Sequence, residues 1–244
     1  MTFTLSLDVG GSGIKAMVFN ESGEPASDRS RIDTPYPCPP KLFLEIVHEL
    51  VADQPSFDRV SVGFPAMVRH GHIYRATAYS RAVKSGPRDP ELFALWNGYP
   101  LQERIADLLK VPTLVINDAD MQGCAVVTGV GLEFVITLGT GVGTGVFNDG
   151  HLLPHMELSH GSFAGTNIDI AIGDAQRKLI GNKAWRPLVT KALIDFETMF
   201  FPDKIFIGGG NAKLLRQEDL IPGCEIVPNT AGLIGGVRAW ELAT

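Results

Sequence analysis

Short apolar runs separated by glycine turns dominate the pattern of the chain. Phe3 to Val9 alternates between apolar and polar residues and then meets Gly10-Gly11, after which Ile14 to Phe19 resumes an apolar run. Alternation with a period of two is typical of a strand, and a glycine turn between two strands favours a hairpin. The same arrangement recurs where Phe134 to Leu138 and Gly145 to Phe147 flank a second glycine turn. The pattern therefore predicts two hairpins, one in each half of the chain.

Longer apolar patterns between and after these hairpins predict helices and buried strands. Residues at helical spacing predict the helices, and short continuous apolar runs predict the strands. The helices are expected over Leu42 to Val51, Leu101 to Leu109, Trp185 to Phe200 and Val237 to Leu242, and the strands over Val60 to Phe64, Thr113 to Ile116 and Lys204 to Ile207. The segment from Arg69 to Pro90 is expected to be mostly loop. Hairpins precede helices in both halves, so the pattern indicates an α+β or α/β chain with a rough internal duplication.

The duplicated pattern suggests two lobes. We expect a small N-terminal lobe over residues 1–116, completed by a C-terminal helix over 233–244, and a large C-terminal lobe over residues 117–232. A chain of 244 residues that is 45% hydrophobic and 20% charged is long enough to bury a sizeable core.

Charge and cysteine content argue against several kinds of partner. The formal net charge of -6 gives no general attraction for nucleic acid or acidic lipid, so neither is expected as a partner. The apolar N-terminal run lacks a preceding positive region, and no stretch approaches the length of a membrane span, so we expect a cytoplasmic protein. Cys38, Cys124 and Cys224 form neither a CxxC pair nor a zinc-ligand spacing, which indicates reduced structural thiols.

The first glycine turn has the chemistry of a phosphate site. Its segment reads Asp8-Val9-Gly10-Gly11-Ser12-Gly13-Ile14-Lys15. The glycines allow a tight turn whose backbone N–H groups can point at an anion, which suits a phosphate. Asp8 could hold a magnesium ion through water, and Lys15 or Ser12 could contact the transferred group. An ordinary hairpin is the alternative, because glycine turns are common.

The second glycine turn repeats this device and adds two hydroxyl groups. It reads Leu138-Gly139-Thr140-Gly141-Val142-Gly143-Thr144-Gly145. A Walker A loop would end in Gly-Lys-Ser/Thr, and a dinucleotide fingerprint would lead into a helix rather than a strand. The pattern therefore predicts a second phosphate cradle on a hairpin.

Two polar pairs could handle a substrate that carries hydroxyl groups. Asn117-Asp118 directly follows a buried strand, where the Asp118 carboxylate could accept the proton of a hydroxyl as its oxygen attacks phosphorus. Helix capping is the alternative for this pair. Glu157 and His160 are three residues apart, so one helical turn would set both on one side, facing vicinal hydroxyls of a sugar. A solvated surface is the alternative for this second pair.

A basic stretch without acidic residues runs from Val68 to Arg88. Its cations are Arg69, Arg75, Arg81, Lys84 and Arg88. Clustered cations could bind a polyanion such as polyphosphate, and a solvated loop is the alternative.

In their order along the chain, these motifs resemble those of the ROK family of sugar kinases, and more closely its polyphosphate/ATP glucokinase branch. The family's two phosphate turns resemble Asp8 to Lys15 and Gly139 to Gly145, its Asn-Asp motif resembles Asn117-Asp118, and its Glu-x-Gly-His motif resembles Glu157 to His160. The resemblance implies an α/β, two-lobed fold of the actin/hexokinase (ribonuclease H-like) type, with the active site in the interdomain cleft. It also implies a phosphotransferase that moves a phosphoryl group from ATP or polyphosphate to a hydroxyl of glucose or a related hexose or polyol.

The resemblance further implies a role for each site residue. Asp118 would be the general base, and Gly208-Gly209-Gly210-Asn211 would line the nucleotide side. The sugar ligands would be Asn117, Glu157, His160 and Asp169. Magnesium is the expected cofactor and a homodimer the expected assembly. No structural zinc is expected, because the family's cysteine-rich zinc element is missing from this sequence.

Three departures from the family pattern leave the acceptor open. Ser159 replaces the glycine of Glu-x-Gly-His, Asp169 is one carbon shorter than the expected Glu, and Ala76 to Tyr79 stands where the family carries a sugar-contacting Asn. The acceptor could therefore be glucose or another polyol, such as an inositol or an amino sugar. The donor is open between ATP and polyphosphate. A non-catalytic sugar sensor is the alternative from another class, because the family includes repressors built on this fold.

Overall fold

The computed structural model describes residues 1–228 and 231–243. The chain forms two compact units. The first unit contains Met1–Ala125 with Gly232–Thr244, and the second contains Val126–Ala231. The sequence pattern placed the boundary at residue 116, whereas the first unit extends to Ala125 because the short helix after residue 117 packs on the sheet of that unit.

Seven strands belong to the first unit. They are β1 (Thr4–Val9), β2 (Ile14–Phe19), β3 (Ser30–Ile32), β4 (Arg59–Phe64), β5 (Met67–Arg69), β6 (His72–Tyr74) and β7 (Thr113–Asn117). Five of them form one sheet in the order β3-β2-β1-β4-β7, and β5 and β6 pair separately as a small hairpin. β1 runs antiparallel to β2 and parallel to β4, as a hairpin followed by crossovers requires. The segment from Arg69 to Pro90 thus begins within a hairpin, whose strands are too short to show an alternating pattern.

Four helices precede the second unit. They are α1 (Pro40–Val51), α2 (Pro90–Trp96), α3 (Leu101–Leu109) and α4 (Asp118–Cys124). Pro40 occupies the first turn of α1, where its missing N–H costs no helical hydrogen bond. Asp89 caps α2, because its side chain accepts hydrogen bonds from the backbone N–H groups of Glu91 and Leu92.

Four aromatic rings form the centre of the first core. Phe43, Phe64, Tyr79 and Trp96 are fully or almost fully buried, and their six pairs of ring centroids lie between 4.9 and 5.9 Å apart. Most of these pairs meet edge to face, which is the favoured geometry for aromatic side chains. The ring of Tyr79 is therefore held in place by packing.

The second unit repeats the strand order of the first. Its strands are β8 (Leu132–Leu138), β9 (Val142–Asn148), β10 (His151–Leu152), β11 (Ser162–Phe163), β12 (Thr166–Asn167), β13 (Lys204–Gly208) and β14 (Cys224–Ile226). The main sheet has the order β10-β9-β8-β13-β14, again with an antiparallel hairpin followed by parallel strands. β11 and β12 pair as a separate two-stranded sheet.

A long helix with a break covers the second sheet. α5 (Ile168–Ile172) leads directly into α6 (Asp174–Phe200), and Gly181 interrupts α6 with φ 77° and ψ 158°. This left-handed φ favours glycine. The sequence predicted a helix from Trp185, so the turns that precede Gly181 were missed. Among residues 1–228 and 231–243, no helix has the length and apolar character needed to cross a membrane.

The last helix, α7 (Ala231–Leu242), belongs to the first unit from Gly232 onward. Ser61 Oγ on β4 donates a hydrogen bond of 2.5 Å to the carbonyl of Gly236. A Cβ atom at Gly235 would overlap the carbonyl oxygen of Met121 in α4, and one at Gly236 would overlap Ser6 Oγ on β1. Glycine at positions 235 and 236 therefore allows the backbone of α7 to pack closely against α4 and the first sheet.

Candidate active site

The first glycine turn connects β1 to β2 and is held from one side. Its Gly10 N–H donates to the carbonyl of Gly13 at 3.0 Å, which closes the turn. Four side-chain hydrogen bonds hold the three carbonyls between these residues. They run from Thr34 Oγ1 (2.6 Å) and Tyr79 OH (3.3 Å) to Gly10, from Tyr36 OH (2.7 Å) to Gly11, and from Arg31 Nη2 (3.1 Å) to Ser12.

The orientation of these carbonyls fixes the orientation of the amides. In a planar trans peptide the C=O and N–H groups point in opposite directions. The N–H groups of Gly11, Ser12 and Gly13 therefore point away from the side chains that hold the turn. Three successive amides that point the same way form a concave site for an anion. The Gly11, Ser12 and Gly13 amides are therefore the candidate donors to a phosphate, and that binding stays a prediction.

Asp8 and Lys15 lie at the ends of the two strands that flank this turn. They are register partners, and Lys15 Nζ lies 2.7 Å from Asp8 Oδ2. The Asp8 side chain is 19% exposed and the Lys15 side chain 34%. Each predicted ligand of a phosphate or metal thus has an ionic partner in this structure. Their roles toward magnesium and the transferred group stay predictions.

Asp118 begins α4 at the end of β7. The Asn117 side chain caps this helix by accepting a hydrogen bond from the Ala119 N–H at 2.7 Å, and its Nδ2 donates to the carbonyl of Ala66 at 3.0 Å. Asn117 is only 5% exposed. Capping, which the sequence left as an alternative, therefore describes Asn117. An amide side chain can make four hydrogen bonds, so the predicted contact with a sugar stays a prediction.

Gly63, which the sequence pattern did not single out as a site residue, brings Asp118 close to the first turn. Gly63 is the register partner of Asp8 on the neighbouring strand β4. A Cβ atom there would lie 3.2 Å from Asp118 Cα and 2.7 Å from Met121 Cε. A side chain at this position would displace α4, so glycine is needed for the helix to begin beside β4. Asp8 and Asp118 thus both neighbour Gly63 along the backbone.

The second glycine turn follows the same construction with different donors. Gly139 N–H donates to the carbonyl of Gly141 at 2.9 Å. Asn211 Nδ2 donates to the Gly139 carbonyl at 3.2 Å, and the Asp174 N–H donates to the Thr140 carbonyl at 3.2 Å. By the same peptide geometry, the N–H groups of Thr140 and Gly141 point away from these donors. This turn too directs two amides away from its supports, and its binding of a phosphate stays a prediction.

Acidic residues support the second turn. Asp169 Oδ1 accepts a hydrogen bond from the Val142 N–H at 2.7 Å, and it would overlap a Cβ atom at Gly141. Asp174 binds Arg177 and Lys178, each at 2.6 Å, and accepts a bond from Asn211. Hydrogen bonds from Lys178 and Arg177 lower the pKa of Asp174 to about 2. Asp169 therefore supports the turn, and its predicted contact with a sugar stays a prediction.

Gly143 and the triple glycine differ in their surroundings. Gly143 lies within β9 opposite Thr137, outside the turn itself. Gly208 ends β13, and Gly209 has φ 86° and so little space that a Cβ atom would overlap the backbone of Leu138. A cavity of about 380 Å³ opens beside these residues. It is lined by Gly209, Gly210, Lys213, Ile226, Val227 and Pro228.

Glu157 and His160 stand at the two ends of a single 3₁₀ turn, Leu158–His160. The His160 N–H donates to the Glu157 carbonyl at 3.1 Å. Glu157 is the N-cap residue of this turn, with φ -80° and ψ 63°, and His160 is its last residue, so a shared orientation of the two side chains stays a prediction. Ser159 lies between them and is 1% exposed, whereas His160 is exposed. Buried His155 Nε2 lies 3.7 Å from Glu157 Oε1.

The basic stretch does not form one open cationic surface. Arg81 donates to the carbonyls of Gly86 at 2.7 Å and Thr77 at 3.3 Å, and the Arg88 guanidinium lies 4.5 Å from the centre of the Phe93 ring. These two side chains are thus folded onto their own segment. Binding of a polyanion by this stretch stays a prediction.

Comparison with known proteins identifies the family. The chain belongs to the ROK family, whose model matches residues 4–163. The polyphosphate glucokinase of Mycobacterium tuberculosis (strain CDC 1551 / Oshkosh) is 28% identical over 251 residues, which cover 96% of this chain and 89% of that protein. The resemblance inferred from the motifs is therefore confirmed.

Solved structures agree with this assignment. The inorganic polyphosphate/ATP-glucomannokinase from Arthrobacter sp. strain KM superposes with a TM-score of 0.80 at 27% identity, over 99% of this chain and 100% of that one. A ROK family glucokinase from Streptomyces griseus, solved with glucose and AMPPNP, superposes with a TM-score of 0.72 at 17% identity, over 96% of this chain and 98% of that one. The predicted α/β fold of the actin/hexokinase type is confirmed.

Proposed function

We propose that this protein is a sugar kinase that transfers a phosphoryl group from ATP or polyphosphate to a hydroxyl of glucose or a related hexose. The observation that carries the proposal is the first unit's arrangement of an amide-presenting glycine turn with Asp118 across Gly63 from Asp8. Phosphoryl transfer depends mainly on positioning and on stabilising charge, and this arrangement supplies a phosphate site and a carboxylate. The similar glucokinases support the sugar as the acceptor.

In the proposed reaction, Asp118 accepts the proton of the acceptor hydroxyl while its oxygen attacks phosphorus. The bond between phosphorus and the leaving oxygen of the donor breaks, and the shortened donor departs. Amides of the first glycine turn donate hydrogen bonds to the phosphate oxygens, where fixed donors stabilise developing charge. Glu157 and His160 bind hydroxyls of the sugar, because a carboxylate acceptor and a ring nitrogen three residues apart suit neighbouring hydroxyls.

Magnesium is the proposed cofactor. Within the described residues, no group of three His, Cys, Asp or Glu side chains is arranged to hold a metal ion. Mg²⁺ bound to nucleotides usually keeps several waters and uses one or two carboxylates together with phosphate oxygens, so Asp8 acting through water fits it. A Cβ atom at Gly232 would lie 3.6 Å from Asp8 Oδ2, so glycine there leaves space beside the carboxylate. When bound, the ion would neutralise charge on the donor.

The cavity beside Gly209 supports ATP as one donor. Its walls include the side chains of Ile226, Val227 and Pro228, which offer apolar surface to a flat nucleobase. Ligand pockets of such proteins are mostly apolar with a few polar groups, and Lys213 supplies a cation at the rim. Polyphosphate has no base to fill this cavity, so its binding would depend on phosphate contacts alone. A cytoplasmic location follows from this proposal, since ATP and free sugars meet there.

A coupled assay tests the proposed function. ATP and polyphosphate are each combined with glucose, mannose, N-acetylmannosamine and an inositol, with magnesium present. We expect turnover with glucose for at least one donor. Asp118→Asn should keep the shape and binding but lose about 10²-fold or more in kcat, because it removes the base. Asp107→Asn, an exposed carboxylate on α3, is the matched control and should retain full activity.

Two outcomes would contradict the proposal. Absence of turnover with every pair of donor and acceptor would favour the non-catalytic sensor. Wild-type kcat in Asp118→Asn would remove Asp118 as the base. The homodimer implied by the family stays a prediction, and sedimentation velocity measures it directly.

A further inference from the structure

Four side chains that no sequence motif contains converge on the first glycine turn. Thr34 and Tyr36 follow β3, Arg31 lies on β3, and Tyr79 comes from the segment before α2. Together they hold the carbonyls of Gly10, Gly11 and Ser12 through the four hydrogen bonds given above. We call Arg31, Thr34, Tyr36 and Tyr79 the turn clamp.

We propose that the turn clamp positions the Gly11, Ser12 and Gly13 amides for the phosphoryl donor, and that Tyr79 consequently serves the donor rather than the sugar. The inference rests on the proposed function, since it assigns residues to the donor side of that reaction. It reassigns Tyr79, whose segment stands where the family resemblance predicts a contact with the sugar.

The contacts explain why the clamp sets the direction of the turn. A glycine-rich turn can rotate its peptide planes at little cost, and each rotation exchanges the positions of C=O and N–H. None of the turn's glycines has a positive φ, so glycine is needed here for space. A Cβ atom would lie 3.3 Å from Tyr36 OH at Gly11 and 2.8 Å from Arg31 Nε at Gly13. Close approach of the clamp therefore depends on the glycines.

Burial and packing hold Thr34 and Tyr79 of the clamp, whereas Arg31 is exposed. Thr34 is buried, and the Tyr79 ring belongs to the aromatic core. Burial raises the pKa of both Tyr36 and Tyr79, so each phenol keeps its proton at neutral pH and donates to a carbonyl. Arg31 is the register partner of Lys15, and its guanidinium lies 2.7 Å from Asp33. A positioning group needs this rigidity, because a loosely held donor would leave the turn free to rotate.

Steady-state kinetics with both substrates varied tests the proposal. Tyr36→Phe and Thr34→Val each remove one hydroxyl while nearly conserving shape, and Tyr79→Phe removes the longest bond. We expect the donor KM to rise about fivefold for Tyr36→Phe and Thr34→Val, and less for Tyr79→Phe, with the sugar KM unchanged. Thr34→Ser keeps a hydroxyl and should restore most of the donor KM. Tyr74→Phe on β6 is the matched control.

If the wild-type protein is an active kinase, either of two results in the clamp variants would overturn the inference. One is a rise in the sugar KM, and the other is an unchanged donor KM. If the clamp had only a structural role, its variants would have a lower Tm, and their donor and sugar KM values would change alike.

Binding of tripolyphosphate and AMPPNP by calorimetry provides a readout that does not need turnover. Equal affinity in wild type and Tyr36→Phe, or absence of binding to wild type, would also overturn it. If the protein bound these donors but had no kinase activity, only the proposed function would fail. Wild type would then still bind the donor, and the clamp variants would still bind it more weakly.

Discussion

Replacing Gly235 by alanine tests how closely α7 must approach α4, the helix that carries Asp118. The added methyl would overlap the carbonyl oxygen of Met121, and it would lie 2.9 Å from that carbonyl carbon and 3.3 Å from the Ala125 nitrogen. These atoms belong to the backbone, so no side chain can rotate to make room. Either α7 or α4 must move.

The structure gives the sign and the size of the effect. Alanine gains up to about 1 kcal/mol over glycine in a helix interior. Overpacking typically costs about 1–3 kcal/mol, and the shift of α7 would also break the buried bond between Ser61 and Gly236, which costs about 1–3 kcal/mol more. The net destabilisation is therefore about 1–5 kcal/mol. At Gly232 of the same helix the added methyl meets atoms only at 3.6–3.7 Å, so alanine there should change stability by less than about 1 kcal/mol.

Urea unfolding of Gly235→Ala, Gly232→Ala and wild type measures these free energies. Because α4 begins with Asp118, kcat of folded Gly235→Ala should also fall, as displacement by about 1 Å can cost 10²-fold. Equal stability of the two variants would refute the argument from close packing. Reduced stability with wild-type kcat would refute the link between α7 and the position of Asp118.

Three further predictions follow from single contacts. Gly63→Ala should lower kcat more than it raises either KM, because its methyl would lie 3.2 Å from Asp118 Cα and displace that residue. Steady-state kinetics measures this, and a wild-type kcat in the variant would contradict it. Ser159→Ala should leave stability unchanged or raise it by up to about 1 kcal/mol, because the buried Ser159 Oγ has no hydrogen-bond partner in the part of the chain that the structure describes; a clear loss in urea unfolding would count against this. Asp174→Asn should lower the free energy of unfolding by about 1 kcal/mol at neutral pH, because its ion pairs are partly exposed. Urea unfolding at several pH values measures this. The pKa of Asp174 is lowered in the folded state, so its contribution is present above its ordinary value of 3.8 and is lost as pH falls toward 2; a cost that persists at pH 2 would refute this assignment.

Local patterns predicted the elements that present the site. α3 has the predicted bounds of Leu101–Leu109, and the two hairpins at β1-β2 and β8-β9 occur where alternation and glycine indicated them. Such elements depend on residues close in sequence, which a pattern can show. The sequence pattern did not predict the beginning of α6, because Gly181 with its left-handed φ interrupts the helical pattern. Strands of three residues, such as β5 and β6, are likewise too short to produce a periodicity.

The sequence indicated which residues form the turns but gave no sign of what holds them. Thr34, Tyr36 and Tyr79 reach the first turn across 24, 25 and 69 residues, and Asn211 reaches the second across 72. A hydroxyl or an amide has no periodic signature, and its partner is set by the packing of distant strands. Asn211 belongs to the predicted triple-glycine motif, and the register of β2 with β3 places Arg31 opposite Lys15 of the first motif.

The two units share a strand order but hold their glycine turns by different chemistry, so the two turns should respond differently to substitution. In the first unit, hydroxyls and a guanidinium hold the carbonyls of Gly10, Gly11 and Ser12, and single substitutions can remove each of these side-chain donors. In the second, a backbone N–H from Asp174 holds one carbonyl and the Asp169 carboxylate accepts an amide of β9. A backbone donor persists whatever residue occupies position 174, so the second turn should tolerate substitution of its supports better than the first. Comparison of donor KM between Tyr36→Phe and Asp174→Asn measures this difference, and a larger effect in Asp174→Asn would show that its side chain, rather than its backbone, holds the second turn.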